Sequence, residues 1–267
     1  MSLLHSFYCW GHVLVILLST LFFALCGIEN WRWLACLWAA VPLANAVYFS
    51  RVPIHEPAEQ EEGLSVAALL KNKLFWVLCL LMVCAAACEQ GMSQWASAFA
   101  ESGLGVSKTV GDLAGPCTFA VMMGLSRALY GKYSEKISLM RGMLLSGGLC
   151  VFSYLLAALS PLPFLSLVGC GLCGLSVGLL WPGSYSLGAR SLRGGGTALF
   201  ALLALAGDLG CAAGPAAVGV VSDAFGGSLK QGLLFAALFP LLLIAGLLLC
   251  RRMMGQNRDK SGKTTDG

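Results

Sequence analysis

The sequence predicts an all-α, polytopic membrane protein, and three observations carry that reading. Of its 267 residues, 58% are hydrophobic and only 11% charged, against about 45–50% and about 25% in soluble domains. Mean hydropathy is +0.79. The apolar residues fall in runs long enough to cross a bilayer, and the basic residues sit mostly in the short gaps between them. A net charge of +4, with no basic face, excludes a nucleic-acid binder.

Eight apolar stretches each suffice to span roughly 30 Å of hydrocarbon at 1.5 Å per residue. They run Tyr8–Cys26, Trp33–Phe49, Leu74–Phe99, Leu113–Tyr130, Met140–Leu159, Phe164–Tyr185, Thr197–Val221 and Leu229–Cys250. Helices are required, because unpaired backbone groups in lipid cost several kcal/mol each and the runs lack the alternation of barrel strands. Tyr8–Cys26 is read as a retained span: no Lys or Arg precedes Val13, and Leu25 spoils a cleavage site. An even number of spans puts both termini on one side. Fourteen of the 17 basic residues then share that side, leaving Arg32, Lys108 and Lys230 opposite. The positive-inside rule assigns the basic side to the cytoplasm, and the plasma membrane is the expected location.

The chain divides in four. Residues 1–50 form a two-span piece and residues 51–73 a cytoplasmic linker whose core, Arg51–Gly63, holds two prolines and four glutamates. A short surface helix is expected over Leu64–Leu70. Residues 74–254 form a six-span block, and residues 255–267 a polar tail expected to be disordered.

Between the fourth and fifth spans lies Gly124-Leu-Ser-Arg127-Ala-Leu-Tyr-Gly131-Lys132-Tyr-Ser-Glu135-Lys136. This segment resembles the cytoplasmic loop signature of the major facilitator superfamily, G-x-x-x-[DE]-[RK] preceded by an arginine. Glycines there let helices approach closely, and Arg127, Glu135 and Lys136 are expected to latch their cytoplasmic ends as a charge cluster. The resemblance extends to Asp112-Leu-Ala-Gly115-Pro116, to Asp208-Leu-Gly with Ala213-Gly214-Pro215, and to the stretch from Leu4-His5-Ser6-Phe7-Tyr8 to Asn30-Trp31-Arg32. The sugar-permease branch is the nearest in texture. The resemblance implies a partial major facilitator fold: a complete C-terminal six-helix half after helices like the fifth and sixth of twelve. Met1 then reads as an internal start, a truncated gene or a broken reading frame. The expected partners are the lipid bilayer, a small sugar-like solute, H+ and the four absent N-terminal helices. No cofactor or metal is expected.

Ionisable groups inside spans are costly and mark function. Glu89 lies some fifteen residues into the third span, within a polar strip that includes Gln90, Ser93, Gln94 and Trp95, which suits a hydroxylated solute. The bland alternative is a helix emerging into water. Asp208 lies near the bilayer centre among Ala204, Leu205, Leu209 and Gly210, where desolvation suits proton coupling. A structural hydrogen bond between helices is the alternative. Asn45 is a further candidate. Trp181, Tyr185 and His12 read as packing or interface anchors.

Several motifs point elsewhere. Gly169-Cys-Gly171-Leu-Cys-Gly174 lacks the strand a dinucleotide loop needs, and Cys170-x-x-Cys173 lacks the second pair of a zinc site. Gly174-Leu-Ser176-Val-Gly178 matches a serine-hydrolase elbow, but no histidine lies near Ser176 in sequence. Close helix packing explains these glycines better. The expected function is therefore secondary transport by alternating access, not catalysis. A non-transporting fragment and, remotely, an intramembrane serine hydrolase stand as alternatives.

Overall fold

The computed structural model describes residues 2–53, 63–133, 136–192 and 194–262, and every regular element among them is helical. The helices are α1 (Ser2–Cys26), α2 (Trp31–Phe49), α3 (Val66–Lys71), α4 (Lys73–Ser93), α5 (Thr118–Tyr133), α6 (Leu139–Leu159), α7 (Pro163–Val177), α8 (Leu180–Ser191), α9 (Gly196–Ala224), α10 (Leu229–Ala236) and α11 (Leu238–Gly262). A helical run to Gly103 extends α4. Lys108–Asp112 and the wide turn Leu113–Cys117 lead into α5, and α7–α8 and α10–α11 each form one rod.

The eight rods occupy the eight expected stretches. Six are long and apolar enough to cross a membrane on those grounds alone. The other two are α2, which carries Arg32, Pro42, Asn45 and three tryptophans, and the rod ending in α5, which carries Lys108, Asp112, Arg127 and Lys132. Polar side chains lower their hydropathy without ending the helix. The chain is an integral membrane protein.

Local chemistry sets the ends. Gly27, at φ +82°, takes the left-handed backbone that breaks α1 from α2. The Ser65 hydroxyl accepts from the Ala68 N–H at 3.2 Å and the Asn72 carboxamide from the Leu74 N–H at 2.9 Å, capping α3 and α4. The short helix expected near residues 64–70 is thus present. Residues 54–62 of the linker lie outside the described residues. α11 continues to Gly262. Residues 263–267 lie outside the described residues.

Packing depends on close backbone approach, since lipid supplies no hydrophobic drive between helices. A Cβ on Gly210 would collide with the Val83 carbonyl, and one on Gly214 would lie 2.7 Å from Ala87 Cα, so α9 lies directly against α4. A Cβ on Gly174 would collide with the Phe119 carbonyl, and one on Gly169 would lie 2.7 Å from the Ala157 nitrogen. The glycines of the two misleading motifs are therefore helix contacts. Tyr154 donates to the Cys88 carbonyl at 2.8 Å, pinning α6 to α4. By contrast, α1 presents only a narrow buried stripe, including Ser6 and Cys9, and α2 buries only Leu34.

Candidate functional site

Glu89 lies four residues before the end of α4, beyond the seam where Gly210 and Gly214 of α9 meet Val83 and Ala87. It is 7% exposed, and its carboxylate forms an ion pair with Arg127 of α5, Nη2 to Oε2 at 2.8 Å. Arg127 is 3% exposed. Its Nε donates to the Gly178 carbonyl at 3.2 Å, at the junction of α7 and α8. Nη1 donates to the His5 carbonyl at 3.2 Å and to Cys9 Sγ at 3.4 Å, both on α1. The guanidinium also lies 5.8 Å from the centre of the Tyr8 ring, within cation–π range. One arginine thus ties together four elements.

A cavity of about 320 Å³ opens beside the pair, lined by His5, Tyr8, Gln90, Trp181 and Cys211 as well as Glu89 and Arg127. Gln90 lies beside the Tyr8 hydroxyl. Gly207 makes room for Trp181, since a Cβ there would collide with the indole. The cavity therefore combines an internally neutralised ion pair, an amide, a phenol and an indole face. Such groups hydrogen-bond and stack on a small neutral polar solute without requiring it to carry charge.

The family model of the Major Facilitator Superfamily matches residues 1–215. The chain belongs to that superfamily. Among solved structures, a variant of the E. coli fucose:proton symporter FucP is similar at TM-score 0.65 and 16% identity, over 79% of this chain and 53% of the symporter. At that identity the likeness shows the fold, and the chain spans about half of the symporter's length. No curated protein matches.

Superfamily membership sets aside the hydrolase alternative. Ser176 is buried, with its hydroxyl donating to the Cys173 carbonyl at 2.6 Å.

Arg127 points inward to Glu89, about 9 Å along the helix from the end of α5, and Glu135 of the expected loop cluster lies outside the described residues. Gly124 mediates a close approach, with its added Cβ 3.2 Å from Cys9 Cβ across α1 and α5. Gly131 lies on the last turns of α5, and Lys136 is exposed. Asp208 is exposed on α9, which turns Gly207, Gly210 and Gly214 onto its partners.

The remaining candidates separate. Gln94 is exposed and donates to Gln90 Oε1 at 3.3 Å. Trp95 donates to the Pro215 carbonyl at 2.9 Å, which makes it a bolt between α4 and α9. Asn45 is exposed on α2, away from the cavity. Trp181, read as an anchor, lines the cavity. His5, Tyr8 and Cys9 had not been singled out, although the helical spacing of 5, 8, 9 and 12 is a legible polar stripe.

Proposed function

We propose that the chain supplies the solute-binding half of a proton-coupled secondary transporter, that its solute is a small neutral hydroxylated molecule of the monosaccharide class, and that it works by alternating access. The carrying observation is the buried Glu89–Arg127 pair in the wall of a cavity lined by Tyr8 and Trp181. A buried ion pair persists only if its remaining donors are satisfied, and here they are met by Gly178, His5 and Cys9. Protonating Glu89 cancels the carboxylate and leaves a buried cation, at a cost of about 3–5 kcal/mol for a broken pair. That cost favours movement of α4 relative to α1 and α5, which is the motion alternating access needs.

Glu89 is accordingly the coupling group in this reading, and Asp208, on the open side, is a second acid presented to whatever closes the cavity. Further helices complete that side, because a carboxylate at membrane depth faces protein or water rather than lipid. The membrane is the plasma membrane with both termini cytoplasmic; with Arg127 removed from the loop set, the basic asymmetry is still thirteen to three.

Binding tests the reading. A monosaccharide panel added to the detergent-solubilised chain should quench indole fluorescence saturably, and Trp181→Phe should remove most of that response. A panel without any saturable ligand, or quenching unchanged in Trp181→Phe, contradicts it.

A further inference from the structure

A second cavity of about 670 Å³ lies at the end of the bundle where α4 begins and α8 ends. It shares no residue with the Glu89 cavity. We propose that it binds a phosphate-bearing anion and that, in the membrane, its occupant is the headgroup of an acidic phospholipid.

Two arginines converge on it from different rods, Arg190 in the last turn of α8 and Arg251 on α11. No described acidic side chain lines the cavity, and the ion pairs among the described residues are Lys108–Asp112 and Glu89–Arg127. A helix C-terminus explains a cation such as Arg190. It does not explain Arg251, which lies about halfway along α11. The two rods are fastened at this point, since the Ser191 hydroxyl donates to Met254 Sδ at 3.1 Å, and Arg190 and Arg251 line the one cavity between them. Leu139 and Met140, in the first turn of the 21-residue α6, where backbone N–H groups have no partner within the helix, line the same cavity.

The rest of the lining discriminates between sources of phosphate. Leu74, Leu187 and Met254 form apolar wall beside the arginines. A soluble phosphate would satisfy the charges and leave that wall wet, whereas a lipid covers it with acyl chain while its phosphate meets the guanidinium groups bidentately. Basic pockets between membrane helices bind anionic headgroups on this principle.

Thermal unfolding of the detergent-solubilised chain tests the assignment with phosphatidylglycerol, phosphatidylcholine and inorganic phosphate as probes. Phosphatidylglycerol should raise Tm and phosphatidylcholine should not. The Arg190→Gln/Arg251→Gln double variant should lose more than half of that rise, while Arg32→Gln, an exposed arginine elsewhere, should keep it. Native mass spectrometry provides a readout independent of variant stability: wild type should retain phosphatidylglycerol through delipidation, and the charge-preserving Arg190→Lys/Arg251→Lys pair should retain part of it. An equal rise in the double Gln variant, or no rise in wild type, overturns the site. A rise with inorganic phosphate equal to that with lipid, and lost in the double variant, overturns the lipid assignment in favour of a soluble phosphate.

Discussion

Glu89 and Arg127, 38 positions apart, close a 2.8 Å ion pair in the interior of the bundle, and the same guanidinium holds α1 and the α7–α8 junction. Each charge is tolerable there only because of the other.

Energetic coupling between the two follows. Glu89→Met should strand the guanidinium and cost about 3–5 kcal/mol, and Arg127→Met should cost a similar amount. The Glu89→Met/Arg127→Met double variant should recover much of the loss, because an apolar pair of similar volume needs no neutralisation. Thermal unfolding of the four proteins in one detergent checks this. Additive losses in the double variant would remove the pair from the account.

Glycine positions should divide sharply by what lies above them. Gly174→Val drives a side chain into the Phe119 backbone, which has no rotamer with which to yield, whereas Gly148 has open space within 4 Å. Overpacking typically costs about 1–3 kcal/mol, so Gly174→Val should lower folded yield in detergent chromatography while Gly148→Val should not. Equal yields would contradict the packing of α7 against α5.

Asp208 is exposed on α9, so Asp208→Leu should leave the stability of the solubilised chain unchanged. An interhelical bond would instead be worth about 0.6–2 kcal/mol. A lowered Tm in that variant would restore the structural role that its exposure removes.

Topology is checked by impermeant maleimide labelling of intact cells, with exposed Cys26 and Cys36 first changed to serine. A cysteine at Ser107 should react from outside, and one at Ser138 should react only after permeabilisation. The reverse pattern inverts the orientation.

The helices were legible because length and apolarity suffice to define a span, and Glu89 was legible because a carboxylate that deep in an apolar run has few bland explanations. Arg127 was not. It lies close to a basic loop and inside a loop signature, and both explain an arginine without requiring it to turn inward. What turns it is the register of α5 against α4, a relation between two rods that neither segment encodes by itself. The packing face of α9 was not legible for a related reason. In a helix apolar all round, hydropathy does not say which face packs, and the face of α9 is chosen by Gly207, Gly210 and Gly214 meeting flat backbone on α4 and the indole of Trp181. The same three glycines, read as a stripe, were the available signal.

The central claim is that Glu89 links a proton to solute binding. It is measured most directly by titrating a bound monosaccharide calorimetrically in two buffers of different ionisation enthalpy, which yields the number of protons exchanged per solute bound. The account predicts a non-zero exchange in the wild-type chain and none in Glu89→Gln, with binding retained in both. Solute binding without proton exchange in the wild type, or the same exchange in Glu89→Gln, would contradict it.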